Sequence, residues 1–597
     1  MGNDEDKKGW KQFQKLSFDS RRFSKRVKKA EGATMRHAKR FITTRLDNIR
    51  NVRRQVISWL LLIGVMLFAV GAQFMWFRDS YQTVAAAPGG TYAEGSLGPI
   101  ETLNPLYASS SAEISASRLL FSSLYTYDST GHLHGDLATS LQAEAGGTAY
   151  IVKLRSDAKW QDGTALTAKD VAFTVNLIKN PETRSPLRIN WRDINVTAKD
   201  DSTLEFKLPA TYAAFPFALT FPILPQHILS DVAPAAIREN TFSRSPTGSG
   251  PFSFRLLQSA GDSHKVVHMV ANDHYYDGAP LLSRFEVHAY GTQEAIVGAL
   301  RSGEVGAATD ITGVDTSQID TQNYDIINKP INSGVYALLN TASPLLKDKE
   351  LRKALQIGTD TKAVRESLGV KVPALDLPFV NGQVTGIDVQ APSYDPTKAA
   401  AMLDASGWVV KDGIRQKGEQ KLALNVITTK NRQYEKALET LAGQWRKLNI
   451  GVSTKVVDPN DPSINFVQGI LQTRDYDVLL YELFIGADPD VYAYWHSSQT
   501  VANGYNFANY TNRAADDALA SARSRLEPTL RAVKYVVFAH QWIDDAPAIG
   551  LYQATSEYAF NKHTHSLDTN TQLVSSYDRY ADVLDWSVNQ RSVYKTP

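Results

Sequence analysis

The chain is predicted to be an α/β protein carried behind one membrane-spanning helix. Three observations predict this. An uncharged apolar run of 22 residues lies near the N-terminus, strand and helix signals alternate through the rest, and residues 422–456 hold an unbroken strand–helix–strand pattern.

The apolar run, Val56–Phe77, reads VISWLLLIGVMLFAVGAQFMWF. At about 1.5 Å of rise per residue it spans roughly the 30 Å hydrocarbon layer. The tail before it, residues 1–55, holds 17 Lys+Arg and 6 Asp+Glu. Positive flanks stay cytoplasmic, so the tail is expected inside a bacterial cell membrane and everything after Arg78 outside. Trp59, Trp76 and Phe77 stand near the two ends, where amphipathic rings favour the interface. Ala85-Ala86-Ala87 resembles a small-residue cleavage site. The apolar run is long for a signal peptide, however, and a retained anchor followed by a short linker, 78–88, is expected.

Without the tail the chain carries a net charge of −9, which argues against a nucleic-acid-binding ectodomain. The basic tail sets topology and meets anionic head groups. There is no cysteine, which removes disulfides, thiolate metal sites, cysteine nucleophiles and lipid attachment through an N-terminal cysteine. The length beyond the membrane exceeds a single core, so two or three domains are expected.

The elements follow in order. Tyr150, Val152 and Leu154 alternate with Ile151, Lys153 and Arg155 as in a strand. Asp162-Gly163 is a turn. Thr167 caps a helix, with Asp170 placed to reach back to the first amides. Val171, Val175 and Ile178 form its apolar stripe, and Asn180-Pro181 stops it. Further on, Leu422, Leu424 and Val426 mark a strand. Leu438, Leu441, Trp445 and Leu448 mark a helix face, and Ile450, Val452 and Val456 mark a second strand, parallel to the first by a right-handed crossover. Tyr476–Phe484 supplies another buried strand. Open α/β sheets place ligands at the carboxyl ends of their strands, which makes Ile485-Gly486-Ala487-Asp488-Pro489-Asp490 a candidate site.

These residues carry a family resemblance. Thr102-Leu103-Asn104-Pro105-Leu106, YIVKLRSDAKWQDGTALTAKDVAFTVNLI (150–178), PILPQHIL (222–229), PTGSGPFSF (246–254), HMVANDHYYDGAPLLSRFEVHAY (268–290), ALRSGEVGAATDI (299–311), DKELRKALQIGTD (348–360) and YDPTKAAAMLDASGW (394–408) occur in one order and spacing. In these the chain resembles the extracellular solute-binding proteins of family 5, the peptide, dipeptide and nickel receptors of ABC importers, from about Pro88 to about Asp585. The resemblance implies a two-lobed, periplasmic-binding-protein-like receptor (type II) hinged by crossing strands. Lobe one is expected from 89–127, 246–310 and 556–597, an extra domain of that lobe from 128–245, and lobe two from 311–555. It also implies a monomer that meets separate permease and ATPase chains, with no cofactor.

Receptors of this family hold a peptide as an added strand and anchor its amino terminus with an aspartate. The family often has that aspartate three residues before the Asp-Pro pair, where this chain has Ile485. Either Asp488, Asp490 or Glu482 takes the ammonium, or the ligand lacks one. Asp488 equally suits a turn before proline, and Asp490 equally suits a cap for a helix over 491–498. Tyr481, Tyr494 and Trp495 offer apolar and cation–π contact, with core packing as the plain alternative. Asn506, in NGYNFANYTN, and Asn340, in Leu339-Asn340-Thr341, offer amides to a peptide.

A receptor on the same scaffold for a nickel chelate, a sugar or haem remains the alternative. An anchored hydrolase has less support: there is no H-E-x-x-H, no G-x-S-x-G and no cysteine nucleophile. His132 and His134 share a face if extended but lack a third ligand. His264 and His268 share a strand face and read as structural.

Overall fold

The computed structural model describes residues 28–29, 49–261, 264–314, 316–459, 461 and 463–594, so the basic tail expected over 1–55 lies almost wholly outside the described residues. The chain forms two compact units, Met1–Ala85 with Ser592–Pro597, and Ala86–Arg591.

In the first unit, helix α1 (Ile49–Tyr81) contains Arg53–Arg78, with mean hydropathy 2.2 and no residue buried against protein. A helix apolar on all sides and uncovered by protein matches a lipid environment. It continues past Phe77 to Tyr81, and Gln82–Ala87 is extended. The stretch expected as a flexible linker, 78–88, is therefore mostly regular structure.

The second unit is α/β. Among its elements, in chain order, are β1 (Thr91–Leu97), α2 (Ser111–Leu120), β2 (Ala138–Glu144), β3 (Ala149–Leu154), α3 (Ala168–Lys179), β4 (Asn195–Ala198), β5 (Thr203–Lys207), β6 (Phe252–Ser259), β7 (Lys265–Ala271), β8 (Arg284–Tyr290), α4 (Gln293–Ser302) and β9 (Ala307–Ala308). There follow β10 (Tyr324–Leu339), β11 (Ala423–Thr429), α5 (Arg432–Lys447), β12 (Gly451–Val457), β13 (Val478–Phe484), α6 (Arg513–Arg523), α7 (Pro528–Asp545) and β14 (Ala548–Asn561). Ten strands form one sheet in the order β12-β11-β13-β10-β14-β9-β1-β8-β7-β6, and β2-β3-β5-β4 form a separate antiparallel sheet.

Helix α3 starts as its sequence dictates. The Asp170 carboxylate accepts the Thr167 backbone N–H at 2.8 Å, and Val171, Val175 and Ile178 are buried. The β-α-β unit is parallel, with Ala423 opposite Gly451. Val456 is 44% exposed, at the edge strand of the sheet.

The sheet centre positions the site. β10 and β14 are long and antiparallel, and each serves cores on both sides. On β10, Val335, Ala337 and Leu339 join a core built with Leu424, Leu441 and Trp445, while Tyr324 joins one built with Ile296 and Leu300. On β14, Leu551 belongs to the former side and Tyr558 packs with Tyr92 and Phe285. The segment 128–245 has its own sheet but no core of its own, since Val152, Val175 and Phe206 belong to the same cluster as Tyr92. Register shifts from Pro330 opposite Thr555 to Gly334 opposite Gln553, a bulge that bends the pair midway. Beside it, a Cβ on Gly550 would sit 2.2 Å from the Leu375 carbonyl oxygen, so only glycine lets these chains cross.

Candidate ligand site

Strand β13 ends against the bulge. The Asn332 carbonyl accepts the N–H groups of Ile485 (2.8 Å) and Gly486 (3.0 Å), and Gln383 Nε2 donates to the Gly486 carbonyl at 2.7 Å. The candidate segment 485–490 is thus fixed to the crossing strands.

The two aspartates of this segment hold internal cations. Arg531 Nη1 and Nη2 donate to Asp488 Oδ2 and Oδ1 at 2.7 and 2.6 Å. Arg523 Nε and Nη2 donate to Asp490 Oδ2 at 3.0 and 2.8 Å, and its guanidinium lies 4.0 Å from the Tyr492 ring centroid. Burial pulls the Arg531 guanidinium down, and Asp488 more than offsets it, so its pKa is raised. Neither aspartate keeps a vacant charge for a ligand. The helix expected over 491–498 is also shorter, Tyr492–Trp495, and Asp490 reaches its first amide only at 3.4 Å.

Three further expected contacts face inward. Trp495 is 1% exposed and packs edge-on to Trp542 and Tyr336, because it sits on the core side of its short helix. The Asn340 amide donates to the Arg474 and Tyr476 carbonyls and accepts from Ala342 N–H and Asn509 Nδ2. The fully buried Asn506 donates to the His496 and Tyr510 carbonyls and accepts the Tyr510 N–H. Both asparagines spend their amides on buried loop backbone.

Glu482, Tyr481 and Tyr494 are different. Glu482 lies on β13 opposite Val335, which is itself opposite Tyr552 on β14, so carboxylate and phenol share one face across three strands. Tyr434, in the first turn of α5, donates its hydroxyl to Glu482 Oε2. Among the described residues no Lys, Arg or His forms an ion pair with Glu482. Burial pushes the phenols of Tyr434, Tyr552, Tyr481 and Tyr494 up, and the nearby Glu482 carboxylate adds to each. Tyr494 donates to the Phe484 carbonyl at 2.6 Å, and Phe484 and Tyr505 are both 50% exposed. The result is a half-buried carboxylate without an ion-pair partner among the described residues, held by Tyr434 on the face of Tyr552, with Tyr481 on the opposite face of β13.

Sequence reasoning missed Tyr434, Tyr552, Phe484 and Tyr505, as well as the two arginines. It also missed the facing wall from the 128–245 segment. Tyr212 lies 5.0 Å under Arg523, and the Ala213 N–H donates to the Arg523 carbonyl. Burial pushes the Tyr127 phenol up, with Asp578 and Asp488 adding to it and Arg118 opposing. A cavity of about 140 Å³ opens there, lined by Arg118, Tyr127, Asp136, Tyr276, Asp578 and Tyr580 among others. His132 sits exposed in a turn with Thr130 and His134 lines this cavity; neither joins a metal cluster among the described residues.

Comparison with known proteins gives the class. Residues 132–505 match the family described as bacterial extracellular solute-binding proteins, family 5 Middle. The chain belongs to this family of extracellular solute-binding proteins. It is 28% identical over 527 residues to the oligopeptide-binding protein AppA of Bacillus subtilis, covering 85% of this chain and 95% of that one. The structure of Bacillus subtilis AppA in complex with a nonapeptide superposes with a TM-score of 0.70 at 25% identity, covering 84% of this chain and all of that one. NikZ from Campylobacter jejuni, in complex with Ni(L-His), shares the fold with a TM-score of 0.71 at 24% identity over 83% of this chain and 99% of that one. The two-lobed periplasmic-binding-protein-like fold expected from the sequence is the fold found.

Proposed function

We propose that this protein is the extracellular substrate-binding subunit of an ABC importer for peptides with a free amino terminus, and that Glu482 receives the ligand's ammonium group. The observation that carries the reading is the Glu482 carboxylate, without an ion-pair partner among the described residues and set with the Tyr434 and Tyr552 phenols near the carboxyl end of β13. A carboxylate drawn from water is costly without a cation, so closure around it favours a ligand that brings one. Tyr481, Tyr494, Phe484 and Tyr505 supply apolar and cation–π contact for side chains. Asp488 and Asp490 serve as the rigid floor, held by Arg531 and Arg523. The relationship to a nonapeptide-binding protein over nearly its whole length supports the same reading. Binding is reversible and leaves the peptide unchanged, and separate permease and ATPase chains take it over.

In this reading α1 remains as the anchor, with the large unit outside the cell. It keeps the receptor close to the membrane that holds its permease. Protease added to intact cells is then expected to remove the large unit while leaving the tail protected.

Calorimetry of the full chain in detergent against short peptides tests the ligand. Free-amino peptides are expected to bind, and N-acetylation or Glu482→Gln to weaken binding at least tenfold. Equal affinity for acetylated peptides, or unchanged affinity in Glu482→Gln, refutes the assignment.

A further inference from the structure

A second polar cluster lies on β7, β8 and the turn after α4, in none of the segments that build the peptide site. β7 and β8 pair antiparallel with Val266 opposite His288 and His268 opposite Glu286. His264, His268, Glu286 and His288 therefore share one face. Glu304 reaches this face from the turn beyond α4. The contacts form a chain: His268 Nδ1 to Glu286 Oε1 at 2.9 Å, Glu286 Oε2 to His288 Nε2 at 3.2 Å, His288 Nδ1 to His264 Nε2 at 3.3 Å, and His264 Nδ1 to Glu304 Oε1 at 3.6 Å.

The two facing nitrogens, His288 Nδ1 and His264 Nε2, can share a proton in only one tautomer of His264. Glu286 requires the proton of His288 on Nε2, which leaves a lone pair on Nδ1. If His264 carries its proton on Nε2, it donates to His288 Nδ1, and Glu304 stands beyond hydrogen-bond reach of its Nδ1 at 3.6 Å. If it carries the proton on Nδ1, two nitrogen lone pairs face each other at 3.3 Å. In this second arrangement a cation between the two nitrogens removes the conflict. Two imidazole nitrogens bound at about 2.0–2.1 Å in tetrahedral geometry lie about 3.3–3.4 Å apart.

The ligand atoms of His264, His288 and Glu304 all lie within 4.8 Å of one another. Tyr290 stacks on His264 with centroids 4.4 Å apart and 18° between planes, which fixes the imidazole orientation. Glu286 stands behind His288 as the carboxylate partner that ligating histidines ordinarily have, and His268 holds Glu286 in turn. The buried His288 is backed by protein, and the exposed Glu304 leaves the outer side open to water.

We propose that His264, His288 and Glu304 bind one divalent transition-metal ion of the zinc type, with water as the remaining ligand and Glu286 orienting His288. Two neutral imidazoles and one carboxylate suit such an ion better than calcium or magnesium, which favour all-oxygen shells.

The test uses the untagged full chain in detergent, stripped with a chelator and titrated with zinc chloride by calorimetry. One equivalent of zinc is expected to bind. Glu304→Gln, at an exposed position that leaves the fold undisturbed, is expected to weaken zinc binding at least tenfold. Glu286→Gln is expected to weaken it by about 10–100-fold. X-ray absorption at the zinc edge is expected to show two imidazole ligands. Peptide binding is expected to be unchanged in Glu304→Gln, so the two sites fail or stand separately. No stoichiometric zinc, or unchanged zinc affinity in Glu304→Gln and His264→Gln, overturns the proposal.

Discussion

Arg531 grips Asp488 with two parallel hydrogen bonds, although 43 residues separate them in sequence. Their side chains are 12% and 8% exposed. Removing one partner of such a pair strands the other charge, which costs about 3–5 kcal/mol. Arg531→Leu is therefore expected to lower the unfolding midpoint strongly, and the double variant Asp488→Asn with Arg531→Gln to recover part of the loss. Denaturant titration checks this. If Asp488→Asn abolished peptide binding at full stability, Asp488 rather than Glu482 would be the anchor.

Trp495 and Phe484 separate packing from recognition. Trp495 is enclosed by Trp542 and Tyr336, and Trp495→Ala is expected to cost about 3–5 kcal/mol through loss of buried surface and the cavity left. Phe484 is half exposed at the end of β13, so Phe484→Ala is expected to change stability by less than about 0.5 kcal/mol. In the proposed site the same change weakens peptide binding several-fold. Paired thermal melts and calorimetry distinguish the two outcomes.

Local periodicity made much of the fold legible. The alternation at Tyr150–Leu154, the Thr167–Asp170 cap and the strand–helix–strand of 422–457 are patterns in which each residue's role depends on near neighbours. Sequence marks the end of β13 as a candidate site by the carboxylates there, but not which of them is left without a cation. Sequence shows that Asp488, Asp490 and Glu482 cluster there. It does not show that α6 and α7 bring arginines to the first two and leave the third without one. Asn340, Asn506 and Trp495 misled for a common reason. Loops that fold back into a protein need polar side chains to bind their own backbone and large rings to fill their own core. Such residues match the composition of a ligand site.

A buried ion pair ties β1 to the C-terminal region. Arg579 Nη2 donates to Glu94 Oε1 at 2.6 Å and to Ser115 Oγ at 2.7 Å, and Tyr558 donates to Glu94 Oε2 at 2.7 Å. Both charged side chains are almost fully enclosed. Arg579→Met is expected to destabilise by about 3–5 kcal/mol, because Glu94 is left charged and buried. Arg579→Lys is expected to rescue little, since an ammonium cannot reproduce the planar fork that meets Glu94 and Ser115 together. Glu94→Gln with Arg579→Met is expected to be milder than Arg579→Met alone. Chemical denaturation of wild type, Arg579→Met, Glu94→Gln and the double variant closes the cycle.

Glu557 on β14 predicts the pH dependence. It is 3% exposed, and its carboxylate accepts the Gly313 N–H at 2.9 Å with no cation nearby among the described ion pairs. Burial raises its pKa, and the Gly313 hydrogen bond offsets this only in part. The folded value thus lies above the unfolded one. Such a group favours folding fully at pH below its unfolded value, and that contribution is lost as pH rises through its folded value. At neutral pH the ionised carboxylate is therefore a cost carried by one of the two crossing strands. Glu557→Gln keeps an oxygen for the Gly313 N–H and removes the charge. It is expected to raise the melting temperature at about pH 7, with the gain shrinking to nothing below about pH 4. Thermal scans of wild type and variant across that range check it, and a gain independent of pH would show that ionisation of Glu557 is not its source.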